Sequence, residues 1–269
     1  MEGATFRDGY CPGALAERYE LRQPNFSMIS IGHNSVLQCC TSINEFGAYC
    51  VPWSSRHRPA AQTVLSGQVW EPKTIELITS NCRGGDIIHA GAYFGDFLPA
   101  ISLACDPLAK VWAFEPNPEN YRCASITVLL NNLANVELVN AGLGAHKGKL
   151  SMMVVDRHHT PLGGASRIIG SDQQFTNGAG IVKVDIVRID DVVPSERWVS
   201  VLHLDVEGFE QQALSGALAT INRCHPVLIL EDLPEPEWFG HNILSIGYSV
   251  VGTVHDNTVL MVAGSRSVS

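Results

Sequence analysis

Two short segments hold residues whose types and spacing could bind an adenosine-containing ligand. Gly91 and Gly95 flank a turn after the apolar run 86–89, and Asp96 follows at a position suited to capping a helix. Glu115 ends the next apolar run, 20 residues after Gly95. In a βαβ unit, glycines in the first turn let backbone N–H groups approach a ligand, and a carboxylate ending the second strand accepts bonds from ribose hydroxyls. The spacing therefore predicts an adenosine site.

The turn lacks the glycine pattern of a dinucleotide site. Turns of that kind read G-x-G-x-x-G, and the middle glycine lets the backbone touch a pyrophosphate. Here the turn reads AGAYFG from Ala90 to Gly95, with no G-x-G pair. A ligand without a pyrophosphate fits this turn better, and S-adenosyl-L-methionine is such a ligand. We expect its adenosine at Glu115 and its methionine end along the turn.

The surrounding chain alternates between strand-like and helix-like segments. Five apolar runs read as core strands, at 86–89, 111–114, 135–140, 199–205 and 225–231. Helical patterns separate them, so the fold class is α/β with a doubly wound, mostly parallel sheet, and two tail runs, 248–254 and 258–262, would add an antiparallel edge. Short β-type runs between 26 and 52 predict an antiparallel β-hairpin elaboration. We expect an N-terminal extension over residues 1–68 and one cofactor-binding domain over residues 69–269.

Composition narrows the classes of partner. The chain of 269 residues has a formal net charge of −9 and no Lys/Arg run, which argues against nucleic-acid binding. No window approaches the roughly 18 apolar residues of a membrane span, and MEGATFRDGY is unlike a signal peptide. The eight cysteines include no C-x-x-C spacing, which favours buried free thiols in the cytoplasm. The oligomeric state does not follow from the sequence.

Four segments together resemble one family. They are His89–Asp96, Trp112–Pro118, Asn135–Gly144 and above all the LDVEGFE motif at 204–210, and they resemble the FkbM family. The resemblance covers roughly residues 70–232 and implies a seven-stranded, Rossmann-like sheet that binds S-adenosylmethionine. It further implies methyl transfer, typically to hydroxyl oxygens of sugars or natural-product scaffolds. Family members usually carry an acid at the position of His89, which helps to hold the methionine amino group, and often a lysine at the position of His203.

These segments and the helix start before them supply the expected cofactor contacts. We expect those contacts from Glu71, His89, Gly91, Tyr93, Gly95, Asp96, Glu115, Pro116, Asn140, Gly142, Asp205 and Glu207.

The candidates for catalysis lie at strand ends and in one long loop. Methyl transfer is an in-line displacement, in which the enzyme aligns the reactants and a base adds about 10²–10⁴-fold for an alcohol. In an open α/β sheet the site lies beyond the carboxyl ends of the strands. This rule selects Asp205, Glu207, Glu231 and Asp232 along with Glu115, and we take Asp205 and Glu231 as the catalytic candidates. His159 is a further candidate because it lies in the polar stretch 156–180, and loops of that length tend to bind ligands.

Several alternatives remain open at this point. We expect no metal ligands, although Asp205, Glu231 and Asp232 could hold a divalent cation such as Mg²⁺, which we favour less. The expected acceptor is a hydroxylated small molecule. An N-methyltransferase with the same cofactor is an alternative, and His89 suggests a catalytically inactive cofactor-binding protein as another. A nicotinamide-dependent oxidoreductase is disfavoured by the missing G-x-G.

Overall fold

The computed structural model describes residues 36–82, 84–169 and 180–263, all of which belong to one compact unit of the chain. The first element is a hairpin of β1 (Cys39–Asn44) and β2 (Gly47–Pro52) around a two-residue turn. This hairpin lies within the stretch 26–52 for which an antiparallel β-hairpin elaboration was predicted. The part of that stretch before residue 36 lies outside the described residues.

A seven-stranded sheet forms the centre of the fold. Its strands, from one edge to the other, are β12 (Tyr248–Val254), β13 (Asn257–Val262), β11 (Val227–Leu230), β10 (Val199–Leu204), β3 (Asp86–Ala90), β4 (Val111–Phe114) and β5 (Val136–Val139). The strands from β11 to β5 run parallel, whereas β13 pairs antiparallel with β11 and β12 pairs antiparallel with β13. The predicted fold class, with its antiparallel edge, is confirmed.

Helices cover both faces of this sheet. They are α1 (Pro59–Leu65), α2 (Pro72–Asn81), α3 (Leu98–Ala104), α4 (Pro118–Leu130), α5 (Ile189–Val192), α6 (Glu210–Ser215), α7 (Leu218–Cys224) and α8 (Pro236–Asn242), with 3₁₀ turns at Gly163–Ala165 and Leu244–Ile246. Four of them begin with a proline, whose missing N–H costs nothing in the first turn. Between α6 and α7 the chain passes close to Gly144, because a Cβ on Gly216 would lie 2.2 Å from the Gly144 carbonyl oxygen.

Successive side chains of the central strands pack into two separate hydrophobic cores, one on each face of the sheet. Ile88 of β3 packs with the α6 and α7 side, whereas Ile87 packs with α2 and α3 on the other face. Because successive strand residues point to opposite faces, His89 shares the face of Ile87. The polar residues at the strand ends are therefore supported by a packed core on each side of the sheet.

A second, four-stranded sheet follows the order β6 (Gly142–Leu143), β9 (Ile181–Val187), β7 (Gly148–Met153) and β8 (Arg167–Ile169). In this sheet β7 pairs antiparallel with β9. The stretch predicted as a plain loop is partly built into this sheet, since β8 pairs with β7 and Val155 bridges Pro161. Residues 170–179 lie outside the described part.

The β1–β2 hairpin packs on α4 and on the turn after β3. Tyr49 meets Phe94 edge-on, with ring centroids 6.4 Å apart. The Cys50 amide donates to Thr127 Oγ1 at 3.0 Å, and the Ala48 amide donates to Asn131 Oδ1 at 2.8 Å. The domain boundary at residue 68 stays a prediction. No helix in residues 36–82, 84–169 and 180–263 is long and apolar enough to cross a bilayer.

Candidate active site

The turn after β3 brings three strands together at their carboxyl ends. Gly91 has a φ of +85°, and a Cβ on it would lie 1.9 Å from the Asp205 carbonyl oxygen. The amides of Gly91 and Ala92 both donate to the Phe114 carbonyl, at 3.1 and 3.0 Å, and the Asp205 amide donates to the Ala90 carbonyl at 3.1 Å. Only glycine fits this contact, so the sequence itself requires β3, β4 and β10 to converge here.

Glu115 is buried at the end of β4, with 4% of its surface exposed. Its Oε2 accepts from the Tyr93 amide and its Oε1 from the Asn117 amide, each at 2.8 Å. Tyr93 reaches this position in a left-handed conformation, with a φ of +47°. Burial raises the pKa of Glu115 to about 8, although the two amides act in the opposite direction. Because a carboxylate has about four acceptor positions, Glu115 keeps the capacity to accept from ligand hydroxyls.

Two adjoining pockets lie at this edge of the sheet. The smaller, of about 30 Å³, has a largely apolar lining, which includes Phe114, Glu115, Pro116, Gly142, Leu143, Met152, Ser166 and Ile168. The larger, of about 220 Å³, is lined by polar and aromatic residues, which include Arg58, Trp70, Glu71, His89, Tyr93, Asp96, Phe97, His203, Glu207, Glu231 and Asn257. Gly91, Gly164 and Asp205 line both pockets. The two pockets thus join an apolar end to a polar end.

Three carboxylates meet in the larger pocket. One oxygen each of Asp205, Glu207 and Glu231 lies within 4.8 Å of the others. Burial raises the pKa of Asp205 well above its usual range, and the adjacent Glu231 carboxyl raises it further. Burial and the Glu231 charge raise the pKa of Glu207 to about 7, while Arg58 opposes this shift. The pocket is therefore electronegative and favours a cationic ligand or a shared proton.

Glu71 and a histidine pair form the other wall of the larger pocket. Glu71 precedes α2 in a left-handed conformation, with a φ of +45°. Its Oε2 accepts from Thr74 Oγ1 at 2.9 Å and from Asn257 Nδ2 at 3.2 Å. His89 and His203 are hydrogen-bonded through their Nδ1 atoms, which lie 2.8 Å apart. This wall thus holds two hydrogen-bonded groups, one around Glu71 and one formed by the two histidines.

A family model decides what kind of protein has this site. Residues 89–250, more than half of the chain, match the methyltransferase FkbM domain. The chain belongs to the FkbM methyltransferase family. The matched stretch begins at His89 and includes the glycine turn, Glu115 and the three clustered carboxylates. The resemblance inferred from the sequence motifs is therefore confirmed.

Solved structures similar to this FkbM methyltransferase include three with informative descriptions. A methyltransferase FkbM from Methylobacillus flagellatus KT has 18% identity and a TM-score of 0.45; the match covers 75% of this chain and 52% of that one. A SAM-dependent methyltransferase from Aquifex aeolicus has 15% identity and a TM-score of 0.40, covering 76% and 94%. The O-methyltransferase TomG from Streptomyces achromogenes has 10% identity and a TM-score of 0.41, covering 78% and 88%. This chain thus spans about half the length of the first of these proteins. Among curated proteins, none matches the sequence.

The structure brings most of the predicted site residues of this FkbM methyltransferase to the two pockets. Those that line them are Glu71, His89, Gly91, Tyr93, Asp96, Glu115, Pro116, Gly142, Asp205, Glu207 and Glu231. Three others lie elsewhere. Gly95 packs against α4, where a Cβ would meet Thr127 at 3.2 Å, and Asn140 Nδ2 donates to the Glu115 carbonyl at 2.8 Å. His159 is exposed in a tight turn, so its role as a base stays a prediction.

Several lining residues were not predicted from the sequence. They include Trp70, Met152, Gly164, Ser166, Ile168, His203 and Asn257. Asn257 was interpreted only as part of a turn between tail strands, yet its side chain reaches Glu71, 186 residues away in the chain. No local pattern marks such a contact. His203 carried a signal, because it stands where family members often have lysine.

The raised carboxyl pKa values make the stability of the ligand-free protein depend on pH. Glu115, with a pKa of about 8, and Asp96 and Glu207, each about 7, bind protons more readily in the folded than in the unfolded chain. Their stabilising contribution is complete below the unfolded pKa values near 4 and is lost as pH rises through the folded values. We expect the thermal unfolding midpoint to fall as pH rises from about 5 to about 8, and to level off above the folded pKa of Glu115.

The matched variant for this measurement is Glu115→Gln, which cannot titrate. Its unfolding midpoint should fall less steeply over the same pH range than that of the unaltered protein. A midpoint that rises with pH in the unaltered protein would contradict the assignment of protonated buried carboxyls.

Proposed function

We propose that this FkbM methyltransferase binds S-adenosylmethionine across the two pockets and methylates a hydroxyl oxygen of a small acceptor. The observation that carries the proposal is the geometry of Glu115. Its carboxyl group is fixed by two backbone amides at the end of β4 and lines the smaller pocket. A buried carboxylate with free acceptor capacity at this strand end suits the two hydroxyls of a ribose.

The residues present fit the rest of this cofactor. Leu143, Met152 and Ile168 give the smaller pocket apolar walls of the kind that an adenine ring packs against. The larger pocket is electronegative, which suits the positive charges of the sulfonium and the ammonium group. When bound, the cofactor would supply an electrophilic methyl group at the boundary between the pockets. Gly91 and Asp205, which line both, lie at that boundary.

Asp205 and Glu231 are placed to handle the acceptor proton. The Glu231 carboxyl lies against Asp205 and, after burial, is the main cause that raises the pKa of Asp205. Two such carboxyls tend to hold one proton between them, so one ionised oxygen remains to accept the proton of an acceptor hydroxyl. This supports transfer to oxygen, because a neutral amine acceptor needs no strong base. The polar lining of the larger pocket suits a hydroxylated acceptor such as a sugar.

Calorimetry with S-adenosylhomocysteine tests the cofactor assignment. The unaltered protein should bind it and should show no heat with NAD. Glu115→Gln should weaken binding about 10- to 100-fold, because one acceptor oxygen becomes an NH₂ group that cannot accept from a ribose hydroxyl. The control Glu76→Gln, an exposed acid on α2, should bind like the unaltered protein. Absence of heat with the cofactor, or tighter binding of NAD, would contradict the proposal.

The next prediction concerns the base that takes the proton of the acceptor hydroxyl. With a hydroxylated acceptor found by screening methyl transfer to sugars and polyols, Glu231→Gln and Asp205→Asn should lower kcat by about 10²–10⁴-fold. Asp232→Asn is the matched control, because Asp232 is the exposed neighbour of Glu231 and does not line either pocket. Nearly unchanged kcat in both variants would instead favour transfer to nitrogen, and absence of transfer to any acceptor despite cofactor binding would favour an inactive binding protein.

A cation-assisted reaction is the second candidate, and the carboxylate cluster is the observation in its favour. Asp205, Glu207 and Glu231 offer three oxygens within 4.8 Å, which are ligands of the type that Mg²⁺ and Ca²⁺ prefer. The predicted partner of this cluster, Asp232, is exposed and is not part of it. We expect activity to survive exhaustive chelation, because a shared proton already relieves the repulsion. Activity that is lost on chelation and restored by Mg²⁺ would establish the cation instead.

The remaining expectations about this methyltransferase are part of the same proposal. A cytoplasmic location rests on the cysteine pattern, and the absence of nucleic-acid and membrane partners rests on the charge and hydropathy of the chain.

A further inference from the structure

One wall of the larger pocket is formed by a segment outside the matched family domain. A turn over residues 53–58 precedes α1 and ends at Arg58, which lines the pocket. Trp70 and Glu71 line it too, whereas the match to the FkbM domain begins only at residue 89. Specificity often resides in loops that are placed on a shared scaffold. This wall is therefore a part of the site that can select an acceptor particular to this chain.

Hydrogen bonds attach the 53–58 turn to the rest of the cleft. Ser55 is fully buried, and its Oγ accepts from the Tyr93 hydroxyl at 2.7 Å. Ser54 Oγ donates to Glu119 Oε2 in the first turn of α4, also at 2.7 Å. The Arg58 amide donates to the Ser55 carbonyl at 2.9 Å. Because Tyr93 belongs to the glycine turn, the backbone that carries Arg58 is held in a fixed position beside the cofactor pockets.

Among the residues that the structure describes, Arg58 is the only lysine or arginine that lines either pocket. Its partly buried side chain makes no ion pair and no hydrogen bond with any residue in that part of the chain. It opposes the rise in the pKa of Glu207 without reaching ion-pair distance. A guanidinium carries five N–H donors in a planar fork that matches the oxygens of a carboxylate or phosphate. Arg58 thus has its full capacity to bind an oxyanion.

The other charged groups of this pocket are acids. They are Glu71, Asp96, Asp205, Glu207, Glu231 and Asp256. In the proposed function, the sulfonium and ammonium groups of the cofactor balance the negative charge of these walls. Arg58 lines the same pocket with the opposite charge, so a negative group on the second substrate would give it a partner.

We propose that Arg58 binds a negatively charged group of the acceptor, so that the acceptor is a small hydroxylated acid with a carboxylate or a phosphate besides the methylated hydroxyl. The inference rests on the proposed function. The hydroxyl would lie at Asp205 and Glu231, and the oxyanion would lie at Arg58 in the same pocket. Two points of attachment would hold the hydroxyl in line with the methyl group, as the displacement requires. Arg58 is thus a specificity-determining residue.

Two other roles for Arg58 lead to different results. If Arg58 held the carboxylate of the cofactor, its loss would weaken binding of S-adenosylhomocysteine but not of 5′-methylthioadenosine, which lacks the amino-acid end. If it only offset the charge of Glu207, its loss would act equally on acidic and neutral acceptors. The proposal requires a third result, which is a loss of affinity for acids alone.

Calorimetry on the protein loaded with S-adenosylhomocysteine provides the test. The probes are glucuronate and glucose 6-phosphate with glucose as their neutral counterpart, and glycerate and glycerol 3-phosphate with glycerol. At least one acid should bind about 10-fold or more tightly than its neutral counterpart. Arg58→Gln should remove that preference by weakening the acid about 10- to 100-fold. Arg58→Lys keeps the charge without the planar fork and should recover part of the loss. The sugar acids against the phosphates show which oxyanion the site prefers.

The matched control is Arg56→Gln. Arg56 lies two residues before Arg58, is exposed, places its guanidinium 4.0 Å from the centre of the Trp53 ring and lines neither pocket. This variant should leave the affinity for the acids within about twofold. Arg58→Gln should itself bind S-adenosylhomocysteine within about twofold of the unaltered protein, which also shows that the variant is folded.

The outcomes separate this inference from the proposed function. If the unaltered protein does not bind S-adenosylhomocysteine, the cofactor assignment fails and this inference fails with it. If the loaded protein binds none of the acids, binds acids and neutral counterparts equally, or keeps its preference in Arg58→Gln, only this inference is overturned. A loss confined to S-adenosylhomocysteine, with 5′-methylthioadenosine unaffected, would also overturn it and would assign Arg58 to the cofactor carboxylate.

Discussion

The contact between Gly91 and the Asp205 carbonyl is the constraint on which the site depends. At this point β3 and β10 approach so closely that no side chain fits, and the same turn donates two amides to the end of β4. The turn then places the Tyr93 amide on Glu115. The residue that closes the turn thus also fixes the carboxylate of the smaller pocket, and both pockets share Gly91 as a wall. A single backbone approach, made possible by one glycine, positions the two halves of the cleft.

Around this point the protein buries more acid than its own cations balance. Asp96, Glu115, Asp205, Glu207 and Glu231 all lie along the cleft, and the resolved shifts raise the pKa of the first four. Burying carboxylates together costs stability unless they are protonated or meet a positive group. Arg58 and Arg167 oppose the shift only at Glu207. A cationic ligand would let these groups ionise, so its binding and their deprotonation favour each other. A positively charged ligand would thus offset the cost of burying these carboxylates.

A feature of the site could be predicted from the sequence where its residues lie close together in the chain. The glycine turn and Glu115 lie within one βαβ unit, so their spacing alone located the smaller pocket. Asp205 and Glu231 followed from a topological rule, because parallel strands end at the same edge. Asn257 could not be found in this way, since it comes from the antiparallel tail and meets Glu71 across the sheet. Asn140 is the opposite case. It was predicted as a cofactor contact because it lies in one of the family segments, but its side-chain amide donates to the backbone carbonyls of Glu115 and Pro116.

His89 and His203 show how strand register connects residues that the sequence gives no reason to connect. The register of β3 against β10 makes them neighbours, hydrogen-bonded at 2.8 Å although 114 residues apart. Burial lowers the pKa of both histidines, so both rings are neutral and the hydrogen bond between the strands needs no buried charge. The pair therefore keeps the cleft floor polar without the desolvation cost of an ion pair, and the carboxylates around it carry the charge that a cationic ligand requires.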